Sequence, residues 1–184
     1  GPKGLMRVGD EFWIERQLRD FAKRGGNQAL VVLGWNSENY LSQLNEFSSE
    51  YGLEFKFCVN EYPEWGPFSS LQVGLRALKV EVPGVFVLPI DVPVPQEQVW
   101  QQLSHAPLVI EATLPTFEGQ GGHPVRLSQG FCQTLMALDV RAPDARLDYQ
   151  IHALAPDRVM RIEVNDPRVV MNLNVPSDWE SLPT

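Results

Sequence analysis

Apolar and polar positions along the chain switch repeatedly between the period of a helix and that of a strand. From Glu11 to Lys23 the residues Phe12, Ile14, Leu18, Phe21 and Ala22 recur at roughly helical spacing, and Gly25-Gly26 ends the run. Gln28 to Gly34 (QALVVLG) is a short continuous apolar stretch closed by glycine, the pattern of a parallel strand covered on both faces. A helix is predicted over Asn36 to Tyr51, and Glu54 to Asn60 (EFKFCVN) alternates like a strand nearer an edge. A helix over Pro67 to Lys79 follows, then a second buried strand over Val85 to Ile90 (VFVLPI). Beyond it the pattern predicts a helix near Pro95 to Ser104, a strand at Leu108 to Thr113 and another at His123 to Leu127. It ends with a helix over Ser128 to Leu138, a strand at Val159 to Val164, and a short helix opened by Pro176.

Strands that alternate with helices predict a three-layer α/β/α, Rossmann-like domain around an open, mostly parallel sheet. No repeat, low-complexity tract or linker interrupts residues 1–184, so one domain is expected. In such sheets ligands sit beyond the carboxyl ends of the strands. The polar residues that follow the strands are few: Gly34-Trp35-Asn36, Asn60-Glu61, Asp91, and the Asn172/Asn174 pair.

Composition narrows the picture. At 184 residues, 43% hydrophobic and 21% charged, the chain has the make-up of an ordinary globular protein with a real core. A net charge of −8 argues against a general nucleic-acid surface, though not against a nucleotide held by backbone N–H groups, local cations and a metal. No apolar run reaches the ~20 residues of a membrane span, and no secretory signal opens the chain. The expectation is a cytoplasmic protein with no membrane partner and with two buried structural thiols, Cys58 and Cys132. His105 and His152 lie in helix-like surroundings without ligand spacing; there is no zinc cluster, Gly-x-Ser-x-Gly or Walker loop. The oligomeric state is not legible.

Asp91 follows the Val85 to Ile90 run, with Pro93 and Pro95 stiffening the chain beyond it. Its carboxylate has two readings: a ligand for Mg²⁺, a hard cation that takes oxygen donors, or a turn residue ahead of the next helix. Asn172 and Asn174 share a face if their stretch is extended, and two amide oxygens there can complete a metal site. Ser177 and Asp178 read as helix caps. In Gly119-Gln120-Gly121-Gly122-His123-Pro124-Val125-Arg126, glycines allow a ligand to approach the backbone, His123 can orient it and Arg126 can meet a phosphate. The bland alternative is a flexible loop. Gly66-Pro67 with Ser69 and Ser70 offers N–H groups and hydroxyls to a polar ligand, or plain helix caps. Lys3, in a Gly/Pro setting, can neutralise a phosphate.

The order of these motifs resembles the molybdenum-cofactor nucleotidyltransferase-like (MobA-like NTP transferase) family over nearly the whole chain. Pro2-Lys3-Gly4-Leu5 looks like the end of the family signature, and Gly66-Pro67, Ser69-Ser70 and Gly74-Leu75 look like its base-binding segment. Leu88-Pro89-Ile90-Asp91-Val92-Pro93 resembles its metal-aspartate turn, Gly122-His123-Pro124-Val125 its Gly-His-Pro-Val loop, and Asn172 to Asp178 its closing motif. The resemblance implies a nucleotide-diphospho-sugar transferase-like fold. It also implies transfer of a nucleoside monophosphate from an NTP, with CTP or GTP favoured, to a phosphorylated acceptor such as molybdopterin or a sugar phosphate. Asp91 with Asn172 or Asn174 would hold Mg²⁺, Lys3 would neutralise phosphate charge, and Gly66, Ser69, Ser70, Gly74 and His123 would contact the nucleotide. Tyr62 to Trp65 and the Pro115 to Gly122 loop are the expected acceptor walls. The family's first strand and its Gly-rich, Arg-containing loop precede its Pro-Lys, so both are expected upstream of Gly1; a non-catalytic, regulatory relative is the alternative. Val175 stands where the family usually has threonine.

Overall fold

The computed structural model describes residues 2–44, 52–78, 82–180 and 182. After a 3₁₀ turn at Lys3–Leu5, a hairpin of β1 (Arg7–Val8) and β2 (Glu11–Phe12) leads into helix α1 (Trp13–Lys23). The Glu15 carboxylate accepts the Phe12 N–H at its start. Its end is a Schellman motif: Gly25 N–H binds Ala22 O, Gly26 N–H binds Phe21 O, and Gly25 has φ +88°. Then come β3 (Gln28–Leu33), α2 (Ser37–Leu44), β4 (Glu54–Val59), α3 (Pro67–Ala77), β5 (Gly84–Val87) and α4 (Glu97–Ser104). The second half holds β6 (Ala112–Phe117), β7 (Gln120–Gly121), β8 (Val125–Ser128), α5 (Gln129–Ala137), α6 (Leu147–Ala153), β9 (Val159–Glu163) and α7 (Pro176–Glu180).

The sheet is in two parts. β3 and β4 pair in parallel over six residues, Gln28↔Glu54 to Leu33↔Val59. The larger part runs β5-β8-β6-β7, with β9 parallel to β6 from Ala112↔Val159 to Thr116↔Glu163. β8 is antiparallel to β5 and β6. The two longest ladders are therefore both parallel, as the alternation of strands and helices implies. The larger part is covered on one face by α3, α5 and α6, through Phe68, Leu75, Phe131, Leu135 and Ile151. Val99 and Leu103 of α4, with Val169, cover the other. β3 and β4 pack on α1 and α2 through Ile14, Leu18, Tyr40 and Leu44. Helix α3 spans both parts: Gly74 lies on β3, where a Cβ would come 2.8 Å from Val32 Cγ2, while Phe68 and Leu75 join the larger core.

Several boundaries depart from the sequence pattern. β5 ends at Val87 because Pro89 has no N–H to give a ladder. The strand expected at Leu108 to Thr113 lies at Ala112–Phe117 instead; Pro107 starts a turn, closed by Ile110 N–H on its carbonyl, that leaves Leu108 80% exposed. Pro115 fits inside β6, its carbonyl accepting the Gly122 N–H. Residues 115–122, read as a loop, are the β6–β7 hairpin. β3 is less buried than its apolar run suggests: only Leu33 is buried. The helix predicted over 67–79 is α3, which ends at Ala77 with Leu78 as its cap; the one predicted over 36–51 begins as α2, and residues 45–51 lie outside the described residues. Cys132 is buried but Cys58 only half-buried, and both are free thiols. Burial pushes the Cys132 thiol up to about 11. Among the described residues no helix is long and apolar enough to cross a membrane.

Candidate functional site

Asp91 sits in the turn that follows β5, and α1 fixes that turn almost residue by residue. Trp13 Nε1 donates to Ile90 O at 2.6 Å, Gln17 Nε2 to Val92 O at 2.7 Å, and Val94 N–H returns to Gln17 Oε1 at 3.0 Å. Arg24 Nη1 adds a bond to Val94 O. Gln17 is buried and uses both ends of its amide as a strand's backbone would, so the proline-rich segment is held without a pairing strand. The sequence reading missed Trp13 and Gln17. The signal that marks them is polar hydrogen-bonding capacity on the buried face of an amphipathic helix.

Three distant segments meet at the Asp91 carboxylate. Lys3 Nζ lies 2.9 Å from Asp91 Oδ2 and 2.8 Å from Asn174 Oδ1. The pair is partly exposed, with side-chain accessibilities of 38% for Lys3 and 25% for Asp91. Leu173 N–H donates to Asp91 O at 2.8 Å and so aligns the closing segment on the turn. Leu173 is itself packed among Trp13 and Trp179, whose rings meet edge to face at 6.0 Å. Lys3 is placed by Tyr40, another residue the sequence reading did not single out: its hydroxyl accepts the Gly4 N–H at 3.0 Å, and a Cβ on Gly4 would meet the ring at 2.6 Å. Asn174 Nδ2 binds Asn172 O, while the Asp178 carboxylate caps the N–H groups of Asn174 and Val175. The capping role expected of Asp178 is the one found; no cap bond to Ser177 is seen among the described residues. Asn172 is exposed, and its backbone, not its amide, takes part in this cluster.

His123 joins from the β7–β8 connection, hydrogen-bonded to the Val87 backbone and within electrostatic reach of Asp91. Burial holds its pKa below 6.5, against the raising influence of Asp91 and the Val87 bond, so the ring is neutral at pH 7. Its Nδ1 is buried with no hydrogen-bond partner. The glycine before it is required by the packing: a Cβ on Gly122 would lie 2.2 Å from Val169 O, the carbonyl that accepts the His123 N–H. Arg126 is buried against Gly84, at the start of β5 and so at the end away from Asp91.

The Gly66 segment forms the other flank, beyond the carboxyl ends of β3 and β4. Gly66 has φ +87°, the left-handed conformation that turns the chain into α3. Ser69 Oγ donates to Gly66 O at 2.7 Å, and both Ser69 and Ser70 accept from the buried Asn60 amide, at 2.7 and 3.0 Å. Ser69 is thus committed to the loop, Ser70 is half-buried, and Gly74 belongs to the α3–β3 contact. Trp35, Tyr62 and Trp65 are exposed at the same end, the last two stacked with centroids 4.5 Å apart.

This polar site stands at the carboxyl ends of the strands of a fold shared with nucleotide-diphospho-sugar transferases. The chain belongs to the family of MobA-like NTP transferase domains, which matches residues 1–155. A mannose-1-phosphate guanyltransferase from Debaryomyces hansenii is 31% identical over 91 residues, half of this chain; the match spans 25% of that enzyme's length. Among solved structures, a nucleotidyl transferase from Methanothermobacter thermautotroptrophicus superposes with a TM-score of 0.73 at 18% identity, covering 97% of this chain and 82% of its own. Rv0371c from Mycobacterium tuberculosis, solved in complex with manganese, gives 0.70 at 19% identity over 98% and 92% of the two chains.

Proposed function

We propose that this chain transfers a nucleoside monophosphate from an NTP to a phosphorylated small molecule. An oxygen of the acceptor phosphate attacks the α-phosphorus in line, the bond between the α-phosphorus and the bridging oxygen breaks, and pyrophosphate leaves with that oxygen. The observation that supports this reading is the meeting of Lys3, Asp91 and Asn174, 88 and 171 residues apart in sequence from Lys3, around one cationic centre. A carboxylate and an amide oxygen that converge on an ammonium at 2.8–2.9 Å form a hard-oxygen donor set suited to Mg²⁺ or Mn²⁺. Asp91 and Asn174 would hold the ion, with Asn172 beside them; when bound, it neutralises charge on the triphosphate. Lys3 then turns its ammonium to the phosphates as a point charge. Catalysis rests on positioning and charge neutralisation, and the α1 bonds to residues 90–94 supply the rigidity.

Gly66, Ser70 and the exposed start of α3 are assigned to the nucleotide, with neutral His123 orienting the ligand beside Asp91. The stacked Tyr62 and Trp65 are assigned to the acceptor wall. GTP is the favoured donor and a sugar phosphate the favoured acceptor, because the curated relative bears the name of a mannose-1-phosphate guanyltransferase; CTP and molybdopterin are next. The test is pyrophosphate release from GTP, CTP, ATP and UTP with Mg²⁺ against sugar phosphates and molybdopterin. Turnover with one pair and its loss in Asp91→Ala is the expected result. Nucleotide binding without pyrophosphate release from any pair would replace this reading with a regulatory one.

A further inference from the structure

On an acidic chain of net charge −8, four arginines gather around one half-open cavity of about 220 Å³. Arg16, Arg19 and Arg24 come from successive turns of α1 and its cap, and Arg168 from the 3₁₀ helix Pro167–Val170. Trp13 and Asp20 complete the lining that matters. Carboxylates lie among these cations. Glu11 binds Arg19, Asp20 lies 3.2 Å from Arg19 and 3.8 Å from Arg16, and Asp166 binds Arg168 at 3.3 Å. Among the described residues Asp20 is the one carboxylate that lines the cavity. Burial works against the charge on Arg19, but Glu11 and Asp20 more than offset it; one spare donor and one less favourably placed cation remain. Arg19 Nε is buried without a hydrogen-bond partner. Burial lowers the Arg24 pKa, and the neighbouring charges of Arg168 and Arg16 push the same way, against Asp20 and Asp166.

We propose that this cavity is a binding site for a compact phosphate-type anion, separate from the Lys3–Asp91–Asn174 centre. Guanidinium forks match the paired oxygens of a phosphate, and several of them can each take a different edge of one tetrahedral or bridged group. A volume of about 220 Å³ suits a compact anion such as inorganic phosphate or pyrophosphate. The position gives the site a consequence. Trp13 and Arg24 line the cavity and also bind the carbonyls of Ile90 and Val94, on either side of Asp91. Arg168 belongs to the 3₁₀ helix that runs into the segment carrying Asn172 and Asn174. An anion held here ties together the two segments that carry Asp91 and Asn174.

The experiment is calorimetric titration of the metal-free protein with inorganic pyrophosphate and, separately, inorganic phosphate. A ¹H–¹⁵N spectrum followed through each titration reports the indole N–H of Trp13. Pyrophosphate is expected to bind, to move the Trp13 resonance, and to weaken at least about tenfold in Arg16→Gln, the loss of one charged hydrogen-bonding partner. Lys3→Met should leave binding intact. Arg16→Lys, which keeps the charge but loses the fork, should fall between Arg16→Gln and the parent. Unchanged binding in Arg16→Gln, loss of binding in Lys3→Met, a stationary Trp13 resonance, or no binding by the parent protein would each overturn the proposal. Phosphate and pyrophosphate affinities together distinguish a single-phosphate site from one that spans two. None of these readouts requires turnover, so the anion site and the proposed transfer reaction can fail independently.

Discussion

The two parts of the sheet are written in similar residues and are buried very differently. In the larger part Ala112, Thr113 and Leu127 have no accessible surface. In β3 and β4, despite the Leu-Val-Val of one and the Phe-x-Phe of the other, Leu33 is the one buried residue. Apolar sequence states what a strand can tolerate; neighbours decide what it receives. β6 and β8 each pair on both sides and lie between helical layers, whereas β3 pairs with β4 alone among the described strands. The candidate site draws on both parts. Its Asp91 flank follows β5 of the sealed part and is fixed by buried polar side chains. Its Gly66 flank follows β4 of the open part and is fixed by a loop's own hydrogen bonds.

That contrast predicts unequal sensitivities, and the largest concerns catalysis. Asp91→Ala should lower pyrophosphate release at least about 1,000-fold, while Ser70→Ala on the open flank should cost less than about tenfold. Comparable losses from both would remove the distinction between flanks. Stability should follow the same order. Leu127→Ala should cost about 2–5 kcal/mol in urea unfolding, and the half-buried Val31→Ala about 1 kcal/mol; equal costs would show that the two parts are equally packed. Gln17→Leu should cost about 2 kcal/mol by leaving Val92 O and Val94 N–H unpaired in the interior. It should also reduce turnover by loosening the Asp91 turn. An unchanged rate would mean that the turn holds itself.

The smallest effect is a pH dependence. His123 in the folded chain has a pKa below 6.5, so on acidification the unfolded state takes up its proton first. This contribution to stability is complete above pH 6.5 and is lost as the pH falls toward the folded pKa. In His123→Gln the slope of unfolding free energy against pH below 6.5 should be shallower than in the parent. An identical slope would assign the acid sensitivity to other groups.

Much of this was legible in the sequence, for local reasons. Glycine permits the positive φ that ends a helix and proline locks φ near the helical value, so Gly25-Gly26 ended α1 and Pro67 opened α3 as read. Hydrophobic periodicity reports which elements form, so the alternation of strands and helices and the strand-end position of Asp91 could be read directly. Other features depend on contacts between residues far apart in the chain. Nothing near Asn174 says that its amide meets Lys3, because that meeting is arranged by Leu173 on the Asp91 carbonyl and by Tyr40 on Gly4. Gly122 read as part of either a ligand loop or a flexible one, and Gly74 as a nucleotide contact only through the family resemblance; packing shows them pressed on Val169 and Val32. The arginines of α1 were not singled out in the sequence, and only the fold brings Arg168 to the cavity beside them. The sequence by itself determined the elements and the residue types that carry the chemistry, since these follow from local backbone and solvation preferences. The tertiary structure alone decided which of those residues share a site, because convergence is a property of the packed chain and not of any stretch of it.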